Sequence, residues 1–284
     1  MIVKLEINSI ILSNTFQYFK YSFIVLFLGS VVVTAQEDDW DSFLAEKEKG
    51  IMAITTNFRY VQSKPTYKNL LIVGSNTKKC FKNGAPKVDG LEEIYTFSDA
   101  AASVIDQSTK NRLVGILTYQ CSGFDVYYVK DTTNLRKDIN KLFQDKSPKH
   151  NNYLYIQRDK RWKYFSEVLY PKDISDSFFA NQEYLNQLFY KGLDFSKKRK
   201  VTHWASFKKE KRRQKFLKKI KVLNFKVDSL KFNKDKNQLF EVQFSREDNF
   251  NPDYINEVTK ILGLLSTSCN GYYDGWEIKN TKEE

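Results

Sequence analysis

After an apolar stretch near the N-terminus, hydrophobic positions along the chain alternate between two periods. Ile51 to Tyr60 and Asn69 to Ser75 are β-branched and apolar enough to be strands, and Ser98-Asp99 reads as the cap of a short helix carrying Ala101, Val104 and Ile105. Leu113 to Tyr119 and Phe124 to Val129 read as strands joined by a tight Ser122-Gly123 turn. Leu135, Ile139, Leu142 and Phe143 then follow helical spacing, and aromatic-rich Tyr153 to Tyr164 closes the half.

The second half repeats that order. A helix holding Leu185, Leu188 and Phe189 stops at Gly192, followed by a strand at Val201 to Phe207 and a helix at Lys208 to Val222. Phe225 to Phe232 and Gln238 to Phe244 read as a hairpin. Asn251-Pro252 starts a helix with the stripe Ile255, Val258, Leu262, Leu265 and Cys269, and Tyr272 to Lys279 is the last strand. The predicted fold class is α+β: two tandem ferredoxin-like (β-α-β-β-α-β) domains, the first with extra N-terminal strands. The expected divisions are 1–35, 36–173 and 176–284.

The apolar stretch is an address label in this reading. Tyr21 to Val33 follows Lys20, and Val33 and Ala35 supply small residues at the −3 and −1 positions of a cleavage site after Ala35. The run is about 13 residues, short of the roughly 20 a spanning helix needs, so no permanent membrane anchor is expected. An exported chain, periplasmic or extracellular, would begin at Gln36; if the N-terminus is retained, the protein is cytoplasmic. Export also bears on the thiols. In an oxidising compartment Cys80 and Cys121 are candidates for a disulfide, whereas Cys269, on a helical apolar stripe, reads as a buried thiol.

Composition narrows the chemistry. With 41% hydrophobic and 15% aromatic residues over 284 positions the chain can fill real cores, and 11 Gly and 5 Pro exclude low-complexity classes. Two His leave little for a histidine-rich metal site, and neither Gly-x-Ser-x-Gly nor His-Glu-x-x-His occurs. Val73 to Lys79 lacks the second glycine of a phosphate loop. No catalytic residue, metal or cofactor is expected. His203, in a strand with Val201, Ala205 and Phe207, reads as a hydrogen-bonded core residue.

The formal net charge of +12 is not spread evenly. Lys197 to Lys221 holds 13 Lys or Arg against Glu210, and from Gln36 on the rest of the chain sums to −1. This run, with Lys208, Lys209, Arg212, Arg213 and Lys215, reads as a solvated helix face, as an attractor for an acidic protein or anionic surface, or as a phosphate-binding stripe. Phe240, Val242 and Phe244 share one strand face, where they best pack under helices, so stacking of RNA bases on this sheet is disfavoured. Trp204 should point away from His203 onto the open sheet face. The neighbouring last strand would bring Asp274 and Trp276 to the same corner, a candidate partner-binding surface for an unidentified protein.

Two resemblances rest on particular residues. Arg199, Val201, His203, Trp204, Phe207, Phe216, Asn224 to Val227 and above all Gly271-Tyr272-Tyr273-Asp274-Gly275-Trp276-Glu277 make the stretch from about Ser177 to Asn280 resemble the regulator of ribonuclease activity B (RraB) family. Val114-Gly115, Tyr127-Tyr128-Val129, Asp159, Trp162, Tyr164 and Tyr170-Pro171 make the stretch from about Asp39 to Pro171 similar to a bacterial domain of unknown function, number six-nine-five. The first resemblance implies a ferredoxin-like domain that binds another protein and inhibits ribonuclease E without chemistry of its own. An exported chain would not meet that cytoplasmic enzyme, so the expectation is a binding protein whose fold serves another partner; cytoplasmic inhibition of ribonuclease E and nucleic-acid binding through the basic helix 208–221 are the alternatives.

Overall fold

The computed structural model describes residues 38–62, 64–234 and 239–278. The expected signal sequence and cleavage site lie outside these residues. The described chain forms one compact unit of mixed α+β structure around two antiparallel sheets.

The first sheet begins with a hairpin of β1 (Trp40–Lys47) and β2 (Gly50–Asn57), followed by a short α1 (Arg59–Gln62). Then come β3 (Asn69–Asn76), α2 (Val88–Ser108), β4 (Asn111–Tyr119), β5 (Ser122–Val129), α3 (Leu135–Lys146) and β6 (Asn152–Arg158). The strand order is β1-β2-β4-β5-β3-β6. One face carries Leu71, Val73, Tyr127 and Val129 against Phe97, Ala101 and Ile105 of α2 and Ile139 of α3. The other carries Leu70, Ile72, Val126 and Tyr128 against Trp162, Phe165 and Leu169. Trp162 stacks on Tyr128 with ring centroids 3.8 Å apart and donates its indole N–H to the Tyr67 carbonyl, while Phe165–Leu169 forms a single π-helical turn.

A long α4 (Asp176–Tyr190) leads to the second sheet, its first turn capped by Ser175 Oγ accepting from the Phe178 N–H. The sheet consists of β7 (Arg199–Phe207), β8 (Lys226–Asn233), β9 (Leu239–Asp248) and β10 (Gly271–Ile278), in the order β10-β7-β9-β8. The connecting helices α5 (Glu210–Val222) and α6 (Pro252–Ser268) pack on one face, where Phe207, Phe216, Ile220, Val242, Phe244, Val258 and Leu262 are buried together. Asn251 caps α6 by accepting from the Tyr254 N–H, with Pro252 behind it.

The two halves share a core. Leu44, Ile51, Ala53 and Ala85 of the first half pack with Leu185, Leu188, Phe189, Val201, Phe250, Ile255 and Ile278 of the second. Polar bonds fix the joint: the buried Leu44 N–H donates to Gln182 Oε1 at 2.7 Å, and Asn186 Nδ2 donates to the Ser42 carbonyl. Cys80 and Cys121 are joined by a disulfide, and Cys269 is a buried free thiol.

Several local expectations are corrected. The helix expected to start at Ser98-Asp99 runs from Val88; Ser98 lies in its middle and bonds the buried Asp125 carboxylate across the helix–sheet interface. The tight turn is Gln120-Cys121, both with left-handed φ (51° and 61°), because β5 already begins at Ser122. The last strand of the first half ends at Arg158, where Asp159 takes the Lys163 and Tyr164 N–H groups and turns the chain.

Candidate functional site

The open face of the second sheet is built by strand alternation. His203 faces the helices, with its ring against Phe225 and Phe244, so Thr202, Trp204 and Ser206 face the other way. Ser206 Oγ donates to Asp274 Oδ1 at 3.1 Å, which fixes Asp274 beside Trp204 on this face. Tyr272, opposite Ser206 in β10, adds an exposed aromatic ring there. Trp204 itself is half-buried.

Trp276 is not part of this corner. A bulge between Tyr273 and Gly275, with Gly275 at φ 119°, inserts a residue into β10 and reverses its alternation. Tyr273 and Trp276 therefore both face the helices. Trp276 donates its indole N–H to Asn181 Oδ1 at 2.7 Å and packs against Tyr184 and Phe250 at the joint between halves. Trp204 and Asp274 are together; Trp276 fills the core behind them.

The basic residues also divide. Lys208, Lys209, Arg212 and Lys215 are exposed on α5 and the turn leading to it, in the layer opposite Trp204. Arg213, expected among the exposed cations, is instead buried. It shares the buried stripe of Phe216 and Ile220, donates to the carbonyls of Lys231 and Glu241, pairs with Glu210 at 2.6 Å and stacks over Phe240. Its spacing of three and seven residues from Phe216 and Ile220 was the available signal. We expect Arg213→Ala to destabilise the protein by about 2–3 kcal/mol, because it strands the two carbonyls and leaves Glu210 without its partner. Arg212→Ala should change stability by less than about 0.5 kcal/mol. Urea unfolding of both variants checks this; equal midpoints would contradict it.

Two buried titratable groups have perturbed environments. Burial, with a smaller contribution from Arg246, depresses His203 to about 3, so its ring is neutral in the fold. Nδ1 lies 2.8 Å from the Tyr273 hydroxyl, while buried Nε2 has no partner, an arrangement that suits a neutral ring and penalises a charged one. Burial pushes Asp125 up to about 6, with the Ser98 hydroxyl opposing and Asp99 adding to the shift. A surface hollow of about 450 Å³ beside α2 contains Lys79, Glu93 and His150, but these groups are engaged locally: Glu93 accepts from Thr77 and pairs with Lys79, and His150 Nδ1 bonds the Asn76 carbonyl. Among the described residues no group of three or more His, Cys, Asp or Glu could hold a metal ion, and no helix is long and apolar enough to cross a membrane.

No curated protein matches the chain. Among solved structures, one titled "Crystal structure of putative glycine cleavage system transcriptional repressor" is 9% identical, covering 76% of this chain and 100% of its own, with a TM-score of 0.24. Another, an unknown protein from Galdieria sulphuraria, is 11% identical, covering 75% of this chain and 99% of its own, with a TM-score of 0.21. These likenesses are too distant to bear on function. The two halves themselves are recognised by region: residues 38–170 match the Family of unknown function (DUF695), and residues 179–278, including both Trp204 and the Tyr-Asp-Gly-Trp segment, match Regulator of ribonuclease activity B.

Proposed function

We propose that this is an exported, non-catalytic binding protein acting through protein–protein contacts of its C-terminal module. The observation that carries the reading is the match of residues 179–278 to a family of regulators, since a regulator without chemistry works through a surface. The strand orders β4-β5-β3-β6 and β10-β7-β9-β8, each with two helices in β-α-β-β-α-β sequence, support reading both halves as ferredoxin-like, with β1 and β2 as an extension of the first. Trp204 and Asp274, with Tyr272 beside them, form the contact surface in this reading.

Export is supported by Lys20, the apolar run to Val33 and the small residues Val33 and Ala35, together with the Cys80–Cys121 disulfide, a bond that persists in oxidising compartments. N-terminal sequencing of the accumulated protein tests it: Gln36 is expected at the start, and residues before Lys20 would instead favour a cytoplasmic inhibitor of a ribonuclease. For the surface, affinity capture from the compartment so identified should recover a protein partner. Trp204→Ala should reduce that capture by at least about tenfold while changing unfolding stability by no more than about 1 kcal/mol. Capture unaffected by Trp204→Ala would remove this face from the reading.

A further inference from the structure

The second sheet ends in an unusual edge. β8 bonds to β9 on one side, and among the described residues no strand lies on its other side. Six of its eight residues are exposed. Val227, Leu230 and Phe232 sit opposite Phe244, Val242 and Phe240, so all three point toward the helix layer, where apolar groups belong. Yet Leu230 and Phe232 are each 46% exposed, because α5 does not reach over them. Arg213 fixes where α5 lies by donating to the Lys231 carbonyl. Helical spacing then puts Leu217 and Lys221 on the flank facing β8, and Lys219 on the opposite flank, where it bonds Ser268 of α6. The result is a groove with an apolar floor of Leu230, Phe232 and Leu217, the outer edge of β8 along one wall and Lys218 and Lys221 at its rim, while Lys226 and Lys231 lie on the opposite face of the sheet.

We propose that this groove takes an extended acidic segment of another protein, added to β8 as a fifth strand. Such an occupant would place alternate apolar side chains on Leu230 and Phe232, and its backbone would use the strand edge. Its carboxylates, alternating with those side chains, would lie on the opposite face of the sheet beside Lys226 and Lys231. Charge selects this occupant over a second copy of the chain, because pairing two copies would bring together two basic runs, each with 13 cations and one acid. The proposal rests on the C-terminal module being a protein-binding module, but uses the outer edge of β8 rather than Trp204.

The test uses the full chain and a labelled eight-residue peptide of alternating valine and glutamate, followed by fluorescence anisotropy at low ionic strength. Saturable binding is expected. It should weaken by at least about tenfold with Leu230→Lys, or with Lys226→Glu and Lys231→Glu together, and remain unchanged with Trp204→Ala. A peptide N-methylated at alternate residues should bind far more weakly, since it loses the donors that pair with the edge. Backbone amide shifts on titrating the unaltered protein should concentrate in 226–233, a readout independent of whether the variants fold. No binding, shifts centred elsewhere, or equal affinity for the N-methylated peptide would overturn the proposal. So would a dimer in sedimentation that Leu230→Lys converts to monomer, which would assign the edge to a second copy. If the peptide fails while Trp204→Ala still abolishes partner capture, the edge is wrong and the binding function stands.

Discussion

Replacing Cys80 and Cys121 with serine is expected to lower the stability of the protein by about 4 kcal/mol, the loop-closure value for a cross-link spanning 41 residues. The loss extends beyond the bond because the disulfide organises a segment reaching into both halves. The Cys121 N–H donates to the Gly84 carbonyl, and the Thr77 N–H donates to the Cys121 carbonyl. From the same segment, Asn83 Nδ2 donates to the carbonyls of Phe189 and Leu193, while Ala85 is fully buried in the shared core. Phe81 packs where a side chain on Gly192 would otherwise stand, at a residue with φ 81°. Urea unfolding with and without reductant measures the effect, and it should be absent in the double serine variant. An unchanged midpoint on reduction would show that the surrounding hydrogen bonds hold this segment unaided.

The second large effect is acid lability centred on His203. Burial holds it at about 3 in the fold, below the ordinary 6.5 of a histidine, so the unfolded chain binds a proton that the folded chain refuses throughout that interval. Stability from the neutral ring is complete above pH 6.5 and is lost as pH falls toward 3, by up to roughly 4–5 kcal/mol. Asp125 works in the opposite sense: its carboxyl, raised to about 6 from 3.8, favours the fold below pH 3.8 and loses that contribution as pH rises through 6. The contribution of His203 is therefore read as a difference. His203→Phe, which keeps a ring against Phe225 and Phe244, should flatten the acid limb relative to the unaltered protein. A parallel pH dependence in both proteins would remove His203 as its source.

Much of the architecture was legible because its elements obey simple periods. The stripe Ile255, Val258, Leu262 sits buried where its spacing put it, and the Asn251-Pro252 cap begins α6. What escaped was decided by contacts between segments distant in sequence. Ser98-Asp99 looks like a helix start because short polar side chains favour caps, but here Ser98 satisfies Asp125, a residue 27 positions away. The Gln120-Cys121 turn has neither the Gly nor the Asn that usually announces left-handed residues, and the disulfide from Cys121 ties it in place. The candidate site was half legible for the same reason. Alternation puts Trp204 on the open face from β7 alone, whereas the position of Trp276 depends on a bulge that moves it across the sheet.

The core shared by Leu44, Ile51 and Ala53 with Leu185, Phe189 and Ile255 has a consequence for how such a chain can be divided. A fragment ending at Pro171 would keep the β1–β2 hairpin but lose the helix that covers it, and the buried Leu44 N–H would lose Gln182 as its acceptor. A fragment beginning near Phe179 would uncover the side of Leu185, Leu188 and Phe189 that packs on Leu44, Ile51 and Ala53. The boundary between the two family matches is thus not a boundary of folding. Exchange of either half between related proteins would succeed only when the hairpin and α4 travel as a matched pair.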